Sequence, residues 1–94
     1  MALYLISYDI AEKDEFEYEG LWNALKAIRA IRILYSEWVV VDNQGRAGAI
    51  YDSIAPKTQM KDRLLVQEIL RDARWDKLLI SDSDFQDLLR NARA

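Results

Sequence analysis

The chain has 94 residues, contains no cysteine and no histidine, and carries a formal net charge of −3. These absences exclude disulfides, thiolate metal sites, imidazole-based zinc sites and histidine-dependent catalytic triads. An enzyme of this composition must use carboxylates, hydroxyls, lysine or arginine, and the simplest arrangement is carboxylates that hold Mg²⁺. The acidic net charge does not fit a strong nonspecific nucleic-acid binder, since affinity for phosphates usually comes from a basic surface.

Length and hydrophobicity predict one small domain over residues 1–94. Hydrophobic residues make up 51% of the chain and aromatic residues 11%, which is enough for a folded core. A chain this short buries only about 60–65% of the surface that it exposes when unfolded, so a dimer would stabilise it. The apolar runs are too short to cross a bilayer, and no signal peptide precedes the first strand. We therefore expect a cytoplasmic protein without a membrane partner.

The segment ALYLISYDI predicts a first strand with apolar residues on both faces, as in the centre of a sheet. Its side chains alternate between Leu3, Leu5 and Ser7 on one face and Tyr4, Ile6 and Tyr8 on the other. The polar segment AEKDEF follows as a loop, with Asp14 as a candidate N-cap and Glu17 as its capping-box partner.

A first helix is predicted from about Glu15 to Ala30, because apolar residues recur there at helical spacing. The residues of this stripe are Tyr18, Leu21, Trp22, Leu25 and Ile28. The next segment, IRILYSEWVVVD, is long for one strand, and a bend or bulge at Ser36-Glu37 would divide it into two.

The segment DNQGRAG predicts a turn, and a second helix follows that ends at Pro56. The residues expected on one face of this helix are Ala47, Ile50, Tyr51 and Ile54.

DRLLVQEIL predicts another strand, whereas DARWDKLLI is either a short edge strand or an extended segment. Ser81-Asp82-Ser83 offers caps for a last helix, whose expected buried face is Phe85, Leu88, Leu89 and Ala92. The order of elements is βαββαβ with an additional C-terminal helix. This order predicts a ferredoxin-like α+β sandwich, with two helices on one face of an antiparallel sheet.

Two motifs, YLISYDI in the first strand and RILYSEWVVV after the first helix, resemble the small CRISPR-associated Cas-two proteins. They also resemble the related VapD-type toxins and SinR-like proteins, over about residues 2–70. The resemblance implies a ferredoxin-like fold and a homodimer. It further implies that Asp9 pairs with its copy across the dimer axis to bind one Mg²⁺, which activates water to cleave RNA or DNA. Tyr8 and Ser36 match motif positions near Asp9, but the acidic loop that follows departs from the arginines common in that family.

Each candidate residue also has a structural interpretation. Asp9 is either a loop or cap residue that accepts backbone N–H bonds, or a catalytic residue and metal ligand. Ser36 is either a small residue at a strand bend or a phosphate contact. The other candidates for nucleic-acid contact are Tyr8 and a strip formed by Lys26, Arg29 and Arg32, whose alternative role is that of solvent-facing charges. Tyr35, Trp22 and Trp38 are interpreted as core or interface residues, with base stacking as the alternative.

Three functional hypotheses follow. The first is a metal-dependent endonuclease centred on paired Asp9. The second is a noncatalytic dimeric adaptor that bridges a protein or nucleic-acid partner. The third is a small structural or regulatory dimer with no nucleic-acid role, which would not be retained on nucleic acid even at low salt.

Overall fold

The computed structural model describes residues 2–9, 15–42, 46–57, 63–69 and 73–91. Four strands and three helices within these ranges follow the predicted βαββαβ order with a C-terminal helix, so the chain is an α+β protein. The elements are β1 (Ala2–Asp9), α1 (Glu15–Ala27), β2 (Ile31–Leu34), β3 (Glu37–Asp42), α2 (Ala47–Ile54), β4 (Arg63–Ile69) and α3 (Asp82–Asn91). Helix α2 ends at Ile54, just before Pro56, as the proline predicts, and a 3₁₀ turn, Ala55–Lys57, follows it.

The four strands form one antiparallel sheet in the order β2-β3-β1-β4. The prediction that β1 is a central strand is confirmed, because it pairs with β3 on one side and β4 on the other. Ala2 pairs with Asp42 at one end of β1, and Asp9 pairs with Arg63 at the other. We call these the Asp42 end and the Asp9 end of the sheet; the length of β1 separates them by about 23 Å.

The long segment after α1 is divided as predicted. β2 and β3 form an antiparallel pair joined by a turn at Tyr35 and Ser36. The register shifts between Arg32 and Leu34, which indicates an irregularity of the β-bulge type next to this turn.

The alternation of β1 side chains between two faces is also confirmed. Tyr4, Ile6 and Tyr8 lie in one buried cluster with residues from α1 and α2, which we call the two-helix face; the helix residues are Leu21, Leu25, Ile50 and Ile54. The opposite face, which we call the one-helix face, contains Leu3 and is covered by α3 and the segment before it. Phe85, Leu89 and Trp75 pack there.

The prediction that α1 continues to Ala30 is wrong, because the helix ends at Ala27. Arg29 adopts a left-handed conformation with φ 65°. Its N–H donates to the Lys26 carbonyl at 3.0 Å, and the Ala30 N–H donates to the Leu25 carbonyl at 3.0 Å. These two bonds form a Schellman motif, which closes a helix with a left-handed residue that is usually glycine.

Tyr51, which was grouped with Ile50 and Ile54 on one face of α2, does not share their burial, because its side chain is 44% exposed. Ile50 and Ile54 are buried. Tyr51 lies about 100° around the helix from Ile50, which is beyond the strip that contacts the sheet.

The segment 73–80 contains bends and no strand, so of the two alternatives it is the extended one. The Leu79 N–H donates to the Ile33 carbonyl at 2.8 Å, which ties this segment to β2. Ser81 caps α3, because its hydroxyl accepts the Asp84 N–H at 3.1 Å, as the cap signal predicts.

Several expectations lie outside the described residues: the N-cap at Asp14, the turn at residues 43–45 and the burial of Ala92. The side chains of Glu17 and Tyr18 also lie outside them. Among the helices of the described ranges, the longest has 13 residues, and none is long and apolar enough to cross a membrane.

Candidate functional site

The Asp9 end of the sheet brings together residues from three parts of the chain. β1 ends there at Asp9, β4 begins there at Arg63, and the turn between β2 and β3 lies beside Tyr8. The Tyr8 N–H donates to the Ser36 carbonyl at 3.1 Å, which ties the turn to β1. Three of the predicted site residues, Tyr8, Asp9 and Ser36, are therefore neighbours.

Asp9 forms an ion pair across the β1–β4 ladder. An Arg63 nitrogen (Nη1) lies 3.2 Å from a carboxylate oxygen (Oδ2) of Asp9, and the side chains of Arg63 and Asp9 are 84% and 68% exposed. With Ser7, Leu64 and other neighbours they line a shallow pocket of about 180 Å³. An ion pair this exposed contributes only about 0–1 kcal/mol, so other charged groups can compete for both side chains.

The residues present fit a metal site only if a second copy of the chain contributes. Within the described ranges, no three acidic side chains form a cluster that could hold a metal ion. Protein sites for Mg²⁺ use one or two carboxylates together with water and substrate phosphates. Asp9 offers one such carboxylate, and its partner across a two-fold axis would supply the second. Arg63 opposes a cation at this position, but its charge suits an anionic phosphate.

The hydroxyl of Tyr8 is the centre of a hydrogen-bond network inside the fold. It accepts the indole N–H of Trp22 at 2.9 Å and that of Trp38 at 3.3 Å. It donates to the Tyr35 carbonyl at 3.4 Å. One donated and two accepted bonds use the full capacity of a phenol hydroxyl for ordinary hydrogen bonds. Tyr8 is buried, so its contribution to the Asp9 end is to fix the turn.

Arg32 joins this network from the strand before the turn. Its Nε and Nη2 atoms donate to the Tyr35 carbonyl at 3.1 and 2.6 Å. Its guanidinium carbon lies 4.8 Å from the ring centroid of Trp22 and 5.7 Å from that of Tyr35, within the range of cation–π contacts. We call Tyr8, Trp22, Trp38, Tyr35 and Arg32 the aromatic network.

Lys26 and Arg29, the other two cations of the predicted strip, lie toward the opposite end of the sheet. Helix α1 passes Tyr8 at Trp22 and ends at Ala27. The next residue, Ile28, lines a cavity of about 280 Å³ together with Asp42. Lys26 and Arg29 are exposed on this last part of α1 and on the turn that closes it. The structure therefore brings Arg32 to the Asp9 end but leaves Lys26 and Arg29 away from it.

Arg63 was not assigned a functional role from the sequence, and for Tyr35 base stacking was only the alternative interpretation. Arg63 is the first residue of β4, and only the β1–β4 register shows that it faces Asp9. The side chain of Tyr35 is 79% exposed, which contradicts a core position and leaves the interface and base-stacking interpretations open. The sequence predicted a bend at Ser36-Glu37, whereas the turn lies at Tyr35-Ser36. A turn predicted at that position would have indicated that Tyr35 is exposed.

No family model matches this sequence, and neither does any curated protein. The resemblance to the Cas-two-like proteins rests on the two strand motifs.

Proposed function

We propose that the protein is a Cas-two-like homodimer of ferredoxin-like fold that binds nucleic acid and cleaves its phosphodiester bonds with Mg²⁺ held between two copies of Asp9. The observation that carries this proposal is the exposed position of the Asp9 carboxylate at the end of the central strand, next to the exposed guanidinium of Arg63.

The order of strands and helices supports the ferredoxin-like part of the proposal. The sheet order β2-β3-β1-β4, with every neighbouring pair antiparallel, is the one that a split βαβ arrangement produces. α1 and α2 pack together on the two-helix face, as that arrangement requires. The additional helix α3 lies on the other face.

The side chains at the Asp9 end have complementary roles toward a phosphodiester. Two Asp9 carboxylates brought close by a two-fold axis would repel each other, and the pair would hold a divalent cation that offsets this repulsion. Mg²⁺ held there would supply a Lewis acid and lower the pKa of a water. Arg63 can leave its weak pair with Asp9 and donate two parallel hydrogen bonds to phosphate oxygens. The chain has no histidine, so carboxylates, hydroxyls and cations supply all of the chemistry.

The test is a cleavage assay on labelled RNA and DNA, single-stranded and duplex, with Mg²⁺ or with EDTA. We expect cleavage that requires Mg²⁺ and that is lost in Asp9→Asn, while circular dichroism and the melting temperature remain unchanged. Asp52→Asn is the matched control, because Asp52 is an exposed aspartate on α2. Full activity of Asp9→Asn, or the absence of cleavage by the native protein with Mg²⁺ and with Mn²⁺, would contradict the proposal.

A second candidate is a noncatalytic dimeric adaptor that holds a nucleic-acid or protein partner. The ion pair favours it, because Arg63 already compensates the charge of Asp9 within one chain. The adaptor predicts no cleavage and a complex that survives Asp9→Asn. The cleavage assay and a binding assay on the same two variants separate the candidates.

A further inference from the structure

We propose that the exposed ring of Tyr35, with Arg32 beside it, stacks on an unpaired base, so that the polynucleotide bound at the Asp9 end is single-stranded. This inference rests on the nucleic-acid binding in the proposed function and does not require cleavage. It adds the strandedness of the ligand and a residue that recognises it.

The first observation is the exposure of an aromatic ring at the tip of a turn. Among the exposed large hydrophobic side chains of the described ranges, Tyr35 has the highest exposed fraction, 79%. The next values are 51% for Leu65 and 51% for Leu79. A ring that is this exposed adds little to the core and is open to a ligand, and the Arg32 guanidinium approaches it.

The second observation is that the backbone below this ring is held in place. The Tyr35 carbonyl accepts hydrogen bonds from Arg32 and from the buried hydroxyl of Tyr8. The next carbonyl, that of Ser36, accepts the Tyr8 N–H. An aromatic group on a fixed turn loses less conformational entropy on binding than one on a free loop, which favours a ligand-binding role.

The third observation is the charge around the ring. The Arg32 guanidinium lies within cation–π distance of both the Trp22 and the Tyr35 rings. A guanidinium has five N–H donors, so the bonds to the Tyr35 carbonyl leave others for a phosphate. Arg63 is exposed at the same end of the sheet. Aromatic rings interleaved with cations are the elements from which single-strand binding sites are built.

These three observations favour a single strand over a duplex. Bases in a duplex are stacked on one another, and a protein ring reaches their faces only after a base leaves the stack. A single strand offers its base faces at much lower cost, and stacking is tolerant of sequence because every base has a π-face. The same geometry accepts RNA and DNA, so the shared ligand is a single-stranded polynucleotide.

The test measures binding by fluorescence anisotropy in EDTA and at low salt, with labelled oligouridylate, oligothymidylate and a mixed-sequence duplex of equal length. We expect at least one single strand to bind more tightly than the duplex. Tyr35→Ala should weaken single-strand binding by about 5-fold to 150-fold, the loss of one stacked base. Tyr35→Phe should retain binding, because it keeps the ring. Tyr51→Ala is the matched control, since Tyr51 is an exposed tyrosine on α2, and should bind like the native protein.

The outcomes separate this inference from the nuclease proposal. Tyr35-dependent binding without any Mg²⁺-dependent cleavage would support the inference and contradict the nuclease. Mg²⁺-dependent cleavage with the same single-strand affinity in Tyr35→Ala and native protein would overturn the inference alone. Tighter binding of the duplex, or no binding of either single strand, would also overturn it. Comparison of the oligouridylate and oligothymidylate affinities shows which polynucleotide the site prefers.

Discussion

At the Asp42 end of the sheet the described groups serve to end a helix and pack the chain, whereas at the Asp9 end charged and aromatic side chains are exposed to solvent. At the first, α1 ends in a Schellman motif around Arg29, and Ile28 packs near Asp42. At the second, Asp9 and Arg63 are exposed, and the buried hydroxyl of Tyr8 supports a turn whose ring points outward.

This difference shows which candidate residues lie close enough together for one ligand to contact them. Lys26 and Arg29 are basic and exposed, but Arg29 serves to close a helix. Arg32 is basic as well, yet it belongs to a network that fixes Tyr35 next to the end of β1. The Asp9 end therefore combines a hydrogen-bond network centred on the buried Tyr8 hydroxyl with exposed charges. Buried polar networks that are fully satisfied are rigid, which suits a binding site.

The largest predicted effect on stability comes from a substitution that breaks the aromatic network at the Asp9 end. Tyr8→Phe removes the acceptor of the Trp38 indole N–H and two further hydrogen bonds. Because Trp38 is buried, we expect the free energy of unfolding to fall by about 2–3 kcal/mol. Urea denaturation measures this change. Tyr51→Phe, on an exposed ring, should change stability by less than about 0.5 kcal/mol. Equal effects of the two substitutions would show that the network adds nothing.

The second prediction concerns Tyr4, which lies toward the Asp42 end. Burial raises the pKa of Tyr4 above its ordinary value of 10.0, and the nearby charges of Glu68 and Asp42 add to the increase. The folded state therefore keeps a proton that the unfolded chain releases. This contribution to stability is fully present below about pH 10 and is lost as pH rises through the folded pKa, by up to about 1.4 kcal/mol per pH unit.

Urea denaturation at increasing alkaline pH checks this prediction. The native protein should lose stability more steeply than Tyr4→Phe above about pH 10, because phenylalanine has no proton to release. Parallel curves for the two proteins would mean that Tyr4 does not contribute to the alkaline loss.

The third prediction concerns the closure of α1. Arg29 has φ 65°, a conformation that costs a residue with a Cβ atom about 1–2 kcal/mol. Glycine avoids this cost, but it loses more conformational entropy on folding, which offsets part of the gain. We expect Arg29→Gly to raise the free energy of unfolding by about 0.5–1 kcal/mol. Arg29→Ala is the control, because it removes the charge and keeps the strain. A stability gain in the alanine variant instead would assign the effect to charge.

The smallest predicted effect on stability comes from the ion pair at the Asp9 end. Arg63→Gln should change the free energy of unfolding by less than about 0.5 kcal/mol, because the pair is exposed. If Arg63 contacts a phosphate, the slope of log affinity against log salt for single-strand binding should become shallower by about 0.7.

Arg90→Gln is the matched control for this substitution. Arg90 also forms an exposed ion pair, with Asp87 at 3.6 Å, but on α3. Its loss should leave the salt dependence of binding unchanged. An equal change of slope in the two variants would show that overall charge, and not the Asp9 end, determines the affinity.

Much of the fold follows from local patterns. The alternation in β1 predicts both its two-faced burial and its central position, and the polar Ser36-Glu37 pair predicts the division of the next segment. The cap at Ser81 is visible as Ser-Asp-Ser before an apolar stripe. In each case the signal lies within a few residues of the feature.

The features that were missed depend on contacts between distant parts of the chain. The Asp9–Arg63 pair joins residues 54 positions apart, and the register that creates it cannot be obtained from either strand alone. The early end of α1 depends on an arginine in a conformation typical of glycine. The exposure of Tyr35 follows from the turn position, which differs by one residue from the predicted bend. The pairing of Asp9 with its copy belongs to a second chain and stays a prediction.

The most direct test of the central claim is the stoichiometry of divalent-cation binding by the native protein. Mn²⁺ can replace Mg²⁺ at oxygen ligands, and electron paramagnetic resonance counts the ions bound, while light scattering gives the number of chains per particle. The proposal predicts a dimer that binds one Mn²⁺ for every two chains and loses it in Asp9→Asn. A monomer, one ion bound per chain, or binding that Asp9→Asn leaves unchanged would contradict it.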